Sequence, residues 1–175
     1  MASIENIIVA HPFWQGLDPG FVPLLAESAT LLHFGVGEVI FQERLAADHL
    51  YLLHRGQVAL EMFVPGRGLI TLQVVPPGEA LGWSWLFPPY LWQVTAKSID
   101  TTEVLAFSAA SLRAKAEAHP AFGRELVTRT AQVLLHRLQA TRLKLQEFYD
   151  PGVGKDLDEC LKTANDEPDA DTTSP

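Results

Sequence analysis

The sequence predicts a mainly β fold: an eight-stranded antiparallel β-roll, jelly-roll-like, with short helices before it and one long helix after it. Three observations lead there. Across residues 31–107, short extended runs are cut at regular intervals by Gly and Pro. Before them, apolar residues recur near helical spacing. After them, from about residue 121, apolar residues settle into a heptad pattern.

Residues 1–30 read as a helical segment. His11-Pro12-Phe13-Trp14 leads into Leu17-Asp18-Pro19, where Asp18 can cap a helix with Pro19 at its first position. Phe21, Val22, Leu24, Leu25 and Ala29 then follow helical spacing, with Pro23 early in the helix. The roll occupies residues 31–110. Its extended runs fall at 31–34, 39–41, 50–53, 58–63, 69–75, 94–96 and 103–107, separated by Gly35-Val36-Gly37, Arg55-Gly56, Pro65-Gly66-Arg67-Gly68 and Pro76-Pro77-Gly78. Residues 111–150 are helical. Ser111 is the candidate cap of a short helix ending near His119-Pro120, and a long helix follows over 121–149. Val127, Ala131, Leu134, Leu138, Thr141, Leu145 and Phe148 are spaced 4-3-4-3-4-3 along it, a seam that predicts parallel self-association as a homodimer. Asp150-Pro151-Gly152 stops the helix, and residues 151–175, rich in Asp, Thr, Glu, Pro and Ser, read as a disordered acidic tail.

Composition narrows the function. The chain has 175 residues, 47% hydrophobic and 19% charged, as in globular proteins. A net charge of −8 repels phosphate backbones and argues against nucleic acid as a partner. Arg124, Arg129, Arg137, Arg142 and Lys144 make the long helix basic, which reads as a solvated face beside the seam. The single cysteine, Cys160, excludes an internal disulfide and fits a reducing compartment. With neither a signal peptide nor a long uncharged apolar run, the expectation is a cytoplasmic protein without a membrane span. The histidines His11, His33, His49, His54, His119 and His136 form no ligand motif, so no metal is expected. Ser84, Ser108 and Ser111 lack a nucleophile elbow and no acid pair sits in a Gly-rich cleft, so no catalytic residue is assigned and the chain reads as not an enzyme. No cofactor is identified.

The most unusual segment is residues 77–96, which hold three of the four tryptophans, Trp83, Trp85 and Trp92, beside Pro88-Pro89 and two glycines. It is too apolar for a surface loop and too interrupted for one helix or strand.

The order of elements and several motifs resemble the cyclic-nucleotide-binding domain of the catabolite-activator (Crp/Fnr) superfamily. The motifs are His11-Pro12-Phe13-Trp14-Gln15-Gly16-Leu17, the turn from Phe34 through Gly37-Glu38-Val39-Ile40-Phe41, the hairpin from Asp48 to Val58 with Gly56, and Pro77-Gly78-Glu79 before the ligand loop. The resemblance covers residues 10–148. It implies a regulatory or signal-sensing domain whose loop is a phosphate-binding cassette. In that cassette a short helix presents backbone N–H groups, a glutamate takes the ribose hydroxyl, and an arginine neutralises the phosphate. Aligned on Gly82, Trp83 stands at the glutamate position. Aligned back from Val104, Trp92-Gln93-Val94 falls at the arginine and the two residues after it, and Arg44 replaces a usual glycine. The candidate ligand pocket that the resemblance implies is Gly82, Trp83, Ser84, Trp85, Trp92, Gln93 and Val94. The superfamily's winged helix-turn-helix has no counterpart in the acidic residues 151–175, so DNA binding is not expected. Three readings of the indoles remain open: they complete the core, they line a repurposed apolar pocket, or nucleotide binding persists through Ser84, backbone amides and Lys97. The partner is then an unidentified small molecule or a protein, with a ligandless interaction scaffold as the alternative.

Overall fold

The computed structural model describes residues 3–148; the predicted tail, 151–175, lies outside them. Helix α1 (Ile4–Ala10) is capped by Ser3, whose hydroxyl accepts the Asn6 N–H. Two 3-10 turns follow, Pro12–Trp14 and Pro19–Phe21, and then helix α2 (Val22–Ala26). As the Asp-Pro pair implies, Asp18 accepts the Gly20 N–H at 2.8 Å, with Pro19 at the first position of the turn.

Seven strands are described rather than eight: β1 (Ala29–Phe34), β2 (Val39–Phe41), β3 (His49–Arg55), β4 (Val58–Val64), β5 (Gly68–Val75), β6 (Thr95–Ser98) and β7 (Thr102–Ser108). They form two antiparallel sheets, β1-β7-β3 and β2-β6-β4-β5. The Trp loop, between β5 and β6, adds no further strand. It pairs at only two isolated bridges, Leu52 with Ala80 and Ala46 with Leu91, because Gly82 and Pro88-Pro89 break any longer ladder. Leu50 to Leu53 of β3 and Val104 to Phe107 of β7 are buried without alternation, as strands covered on both faces must be. β5, at the edge of its sheet, is only partly buried. The β3–β4 turn requires Gly56: its φ is +85°, and a Cβ there would come 2.5 Å from the Thr101 carbonyl oxygen.

Helix α3 (Ala109–Ala118) follows β7 directly. Its cap is Ser108 and not Ser111: the Ser108 hydroxyl accepts the Ser111 N–H, and Ser111 Oγ instead meets Ser28 Oγ at 2.8 Å. Helix α4 (Pro120–Phe148) starts on Pro120, whose missing N–H costs nothing at a first turn. The residues up to Leu135 form one compact unit, and a second begins at His136, inside α4. Within the first unit Phe122 and Leu126 of α4 are core residues, whereas Val127 of the heptad seam is 50% exposed. In the second unit Leu138 and Leu145 are 57% and 56% exposed. The side chain of Phe148, the last seam position, lies outside the described residues.

Candidate functional site: the tryptophan loop

The loop begins as an addition to β3. Leu53 N–H donates to the Glu79 carbonyl at 2.9 Å, Gly78 N–H to the Leu53 carbonyl at 2.7 Å, and Leu81 N–H to the Tyr51 carbonyl at 3.0 Å. It ends as a partner of the β2–β3 connection. Trp92 N–H donates to the Leu45 carbonyl at 2.9 Å, and the Arg44 and Ala47 amides donate to the Trp92 and Tyr90 carbonyls at 2.8 and 2.7 Å. Between these anchors the chain makes turns rather than a helix: Leu86 N–H closes on the Trp83 carbonyl at 3.1 Å and Tyr90 N–H on that of Phe87 at 3.0 Å. Pro88 and Pro89, joined by a cis peptide, donate no N–H of their own. The short helix implied by the resemblance is thus reduced to a single turn, and with it the row of parallel N–H groups that makes a helix terminus an anion site.

The indoles divide into two buried rings and one at the boundary. Trp85 and Trp92 belong to the hydrophobic core, while Trp83 is half-buried. The Trp92 ring lies parallel to Phe41 of β2, with centroids 3.8 Å apart and planes 13° from parallel, and Tyr51 of β3 completes the cluster at 6.1 Å. Aromatic stacking of this kind adds about 0.5–1.5 kcal/mol beyond the area buried. The other side of the ring meets Gly82, where a Cβ would fall 2.7 Å from Trp92 Cζ3. Gly82 is therefore the surface on which the indole rests. Trp85 is fully buried, and its Nε1–H has no acceptor among the described residues. Ser84 is buried, Val94 packs against the core, and Gln93 Nε2 donates to the Leu91 carbonyl at 3.1 Å. Lys97 stands on β6, paired with Val39 and Ala59.

The sequence missed one cation. Arg113 of α3 donates to the Trp85 carbonyl, and its guanidinium lies over the Tyr90 ring, 4.5 Å from the centroid. Its position, far along the chain on a different element, carries no local signal. It anchors the loop to α3 and completes the cation–π contact with Tyr90. Phe41 and Tyr51, the partners of Trp92, likewise read only as strand residues in the sequence. Tyr51 has its pKa pushed up, first by burial and then by the Asp48 charge. The neutral phenol is thereby favoured next to the stack. Among the described residues no three His, Cys, Asp or Glu side chains gather as metal ligands.

The Cyclic nucleotide-binding domain profile matches residues 31–119, just over half of the chain. The chain belongs to the cyclic nucleotide-binding domain family. A solved structure from Geobacter metallireducens, named as a cyclic nucleotide-binding protein, is 32% identical; the match covers 79% of this chain and 99% of that one, with a TM-score of 0.68. The Thermus thermophilus catabolite activator protein is 26% identical with a TM-score of 0.63, over 79% of this chain and 63% of that one. A cyclic nucleotide-binding domain from Methylobacillus flagellatus shares the fold, with a TM-score of 0.71 at 17% identity and coverage of 83% and 82%. A comparison with curated proteins gave no match. Within this cyclic nucleotide-binding fold, the three indoles lie in the loop between β5 and β6.

Proposed function

We propose that the chain is a regulatory, signal-sensing domain whose nucleotide cassette is closed by its own indoles, so that cyclic AMP and cyclic GMP do not bind in the usual way. The observation that carries this reading is the position of Trp92. It stands where the resemblance puts the phosphate-neutralising arginine, stacked on Phe41 and resting on Gly82. An indole offers apolar surface and one N–H donor but no charge. A cyclic phosphate buried there would lack a counter-ion, at a cost of several kcal/mol. The absent guanidinium and carboxylate each forfeit about 1.5–3 kcal/mol of charge-assisted hydrogen bonding. Arg113 does not replace them, because its guanidinium is engaged by the Trp85 carbonyl and the Tyr90 ring.

The domain is non-enzymatic and cytoplasmic in this reading, and its output runs through α4. Of the heptad positions Val127, Ala131, Leu134, Leu138 and Leu145, the large side chains of Val127, Leu138 and Leu145 are exposed and Leu134 is partly buried, and a second copy aligned in parallel would cover them. Nucleic acid is not a partner of a chain with net charge −8. The test is a gain of function. Replacing both indoles, Trp83→Glu with Trp92→Arg, restores the two recognition groups and should produce a thermal shift with cyclic AMP that the native protein lacks. A folded double variant that ignores the nucleotide would show that the loop backbone, and not only its side chains, has left the cassette geometry.

A second reading, a ligandless scaffold for protein contacts, is favoured by the rim of the same loop. Phe87, Tyr90 and Leu91 are exposed there, and the backbone bonds to the β2–β3 connection bring Leu45, 57% exposed, alongside Leu91.

A further inference from the structure

Of the chain's six histidines, His11 alone is buried, at 2% exposure. Both of its ring nitrogens are engaged, and only one tautomer satisfies both. Nδ1 accepts the Phe13 N–H at 3.2 Å and so carries no proton. The proton therefore sits on Nε2, which donates to the Leu53 carbonyl at 3.1 Å. The bond at Nδ1 makes His11 the cap of the Pro12–Trp14 turn, as Asp18 caps the Pro19–Phe21 turn through Gly20. The two caps differ in one respect. An imidazole is protonated near neutrality, and a proton on Nδ1 would point at the Phe13 N–H, donor against donor.

The turn that His11 closes touches both ends of the regulatory machinery. The Leu53 carbonyl that holds Nε2 also accepts the Gly78 N–H at the start of the Trp loop. Pro12 packs on the same Gly78, where a Cβ would lie 3.0 Å from Pro12 Cγ. On the opposite side, Arg129 of α4 donates to the Phe13 and Gln15 carbonyls and stands over the Trp14 ring, 5.8 Å from its centroid. Losing the cap would loosen the grip on Gly78 and on Arg129 together.

The groups facing this turn disfavour a charged imidazole. His54 on β3 adds like charge when protonated, and Arg129 on α4 is a permanent cation paired with Glu125 at 3.1 Å. Among the described residues neither ring nitrogen meets a carboxylate. Burial, the largest influence, holds the pKa of His11 below its ordinary value; the Leu53 carbonyl pulls upward, and His54 pushes down.

We propose that His11 is a protonation-sensitive latch: neutral, it fastens the turn to β3 and to the base of α4; protonated, it releases both. The latch works whatever the Trp loop binds. Because the closed state resists the proton, the latch is at full strength above pH ~6.5 and weakens as pH falls through that value, where the released imidazole takes a proton that the closed one refuses. Between pH 7.5 and 5.5 the opening equilibrium should rise, with about tenfold as the upper limit for a single proton taken up near pH ~6.5.

Amide hydrogen exchange on the full chain, followed by NMR and corrected for intrinsic rates, reads this directly. Protection at the Phe13 and Gly78 amides should fall together, by the same factor and by up to about tenfold, from pH 7.5 to 5.5. His11→Asn keeps a cap acceptor but cannot titrate, so its protection should not change over that range. His54→Gln should retain the wild-type pH dependence. Ring 15N spectra of the wild type at pH 7.5, needed should the His11 variant not fold, should show the Nε2–H tautomer. Protection that is flat with pH in the wild type overturns the latch. So does a fall of the wild-type size in His11→Asn, a loss of the effect in His54→Gln, or the Nδ1–H tautomer.

Discussion

Two single residues at the Trp loop and the turn beside it, Arg44 and Gly82, make opposite demands on the backbone. Arg44, which replaces a usual glycine, has φ +69°. That region costs an L-residue about 1–2 kcal/mol, and the Arg44 side chain, 90% exposed, returns little in exchange. Arg44→Gly should therefore raise stability by about 0.5–1 kcal/mol after the glycine's larger unfolded-state entropy is subtracted. Thermal unfolding would register a gain of about 2–4 °C per kcal/mol; a lower melting temperature would mean that the Arg44 side chain holds the turn. Gly82 is the reverse case. With Trp92 Cζ3 2.7 Å from where a Cβ would stand, Gly82→Ala should cost about 1–3 kcal/mol by overpacking. Adding Trp92→Leu should make the penalty of the alanine markedly smaller, since neighbours in contact couple in a double-mutant cycle. Strict additivity in urea unfolding would show that the indole does not rest on Gly82.

Among the elements, α4 carries two apolar series with different fates. Phe122 and Leu126 are buried in the core, while Val127, Leu138 and Leu145 stay exposed. The heptad spacing picked out Val127, Leu138 and Leu145 as one series but not Phe122 and Leu126, which bind α4 to the core one turn earlier. Leu134→Asp with Leu138→Asp should leave the roll folded and convert a dimer to a monomer in sedimentation or light scattering. A wild type that is monomeric at high concentration would refute the seam. The strands were legible from their Gly/Pro punctuation, since a turn residue is a local requirement that the chain must state locally. The interruption of the Trp segment was legible from Gly82 and Pro88-Pro89, but the count of eight strands was one too many, because short apolar runs do not by themselves state which of them pair. The cap of α3 was misplaced by three residues: Ser108 and Ser111 are both good caps, and the end of β7 selects between them.

For the whole molecule, the sequence raised the expectation that Trp83 and Trp92 stand where a nucleotide's partners would, but it did not show what the indoles pack against. Substitution at an aligned position is a one-dimensional fact. Stacking of Trp92 on Phe41, the support from Gly82 and the grip of Arg113 on Trp85 join β2, the loop and α3 across long stretches of chain. Those contacts favour two of the rings as part of the core, and they leave the half-buried Trp83 and the rim of Phe87, Tyr90 and Leu91 as the part of the loop that meets solvent. The central claim is that this core has replaced the phosphate site. Isothermal titration of the native protein with cyclic AMP tests it most directly. The account predicts binding at least about a hundred-fold weaker than a micromolar site, since two lost charge-assisted contacts exceed about 3 kcal/mol. A low-micromolar dissociation constant with one nucleotide per chain would contradict it.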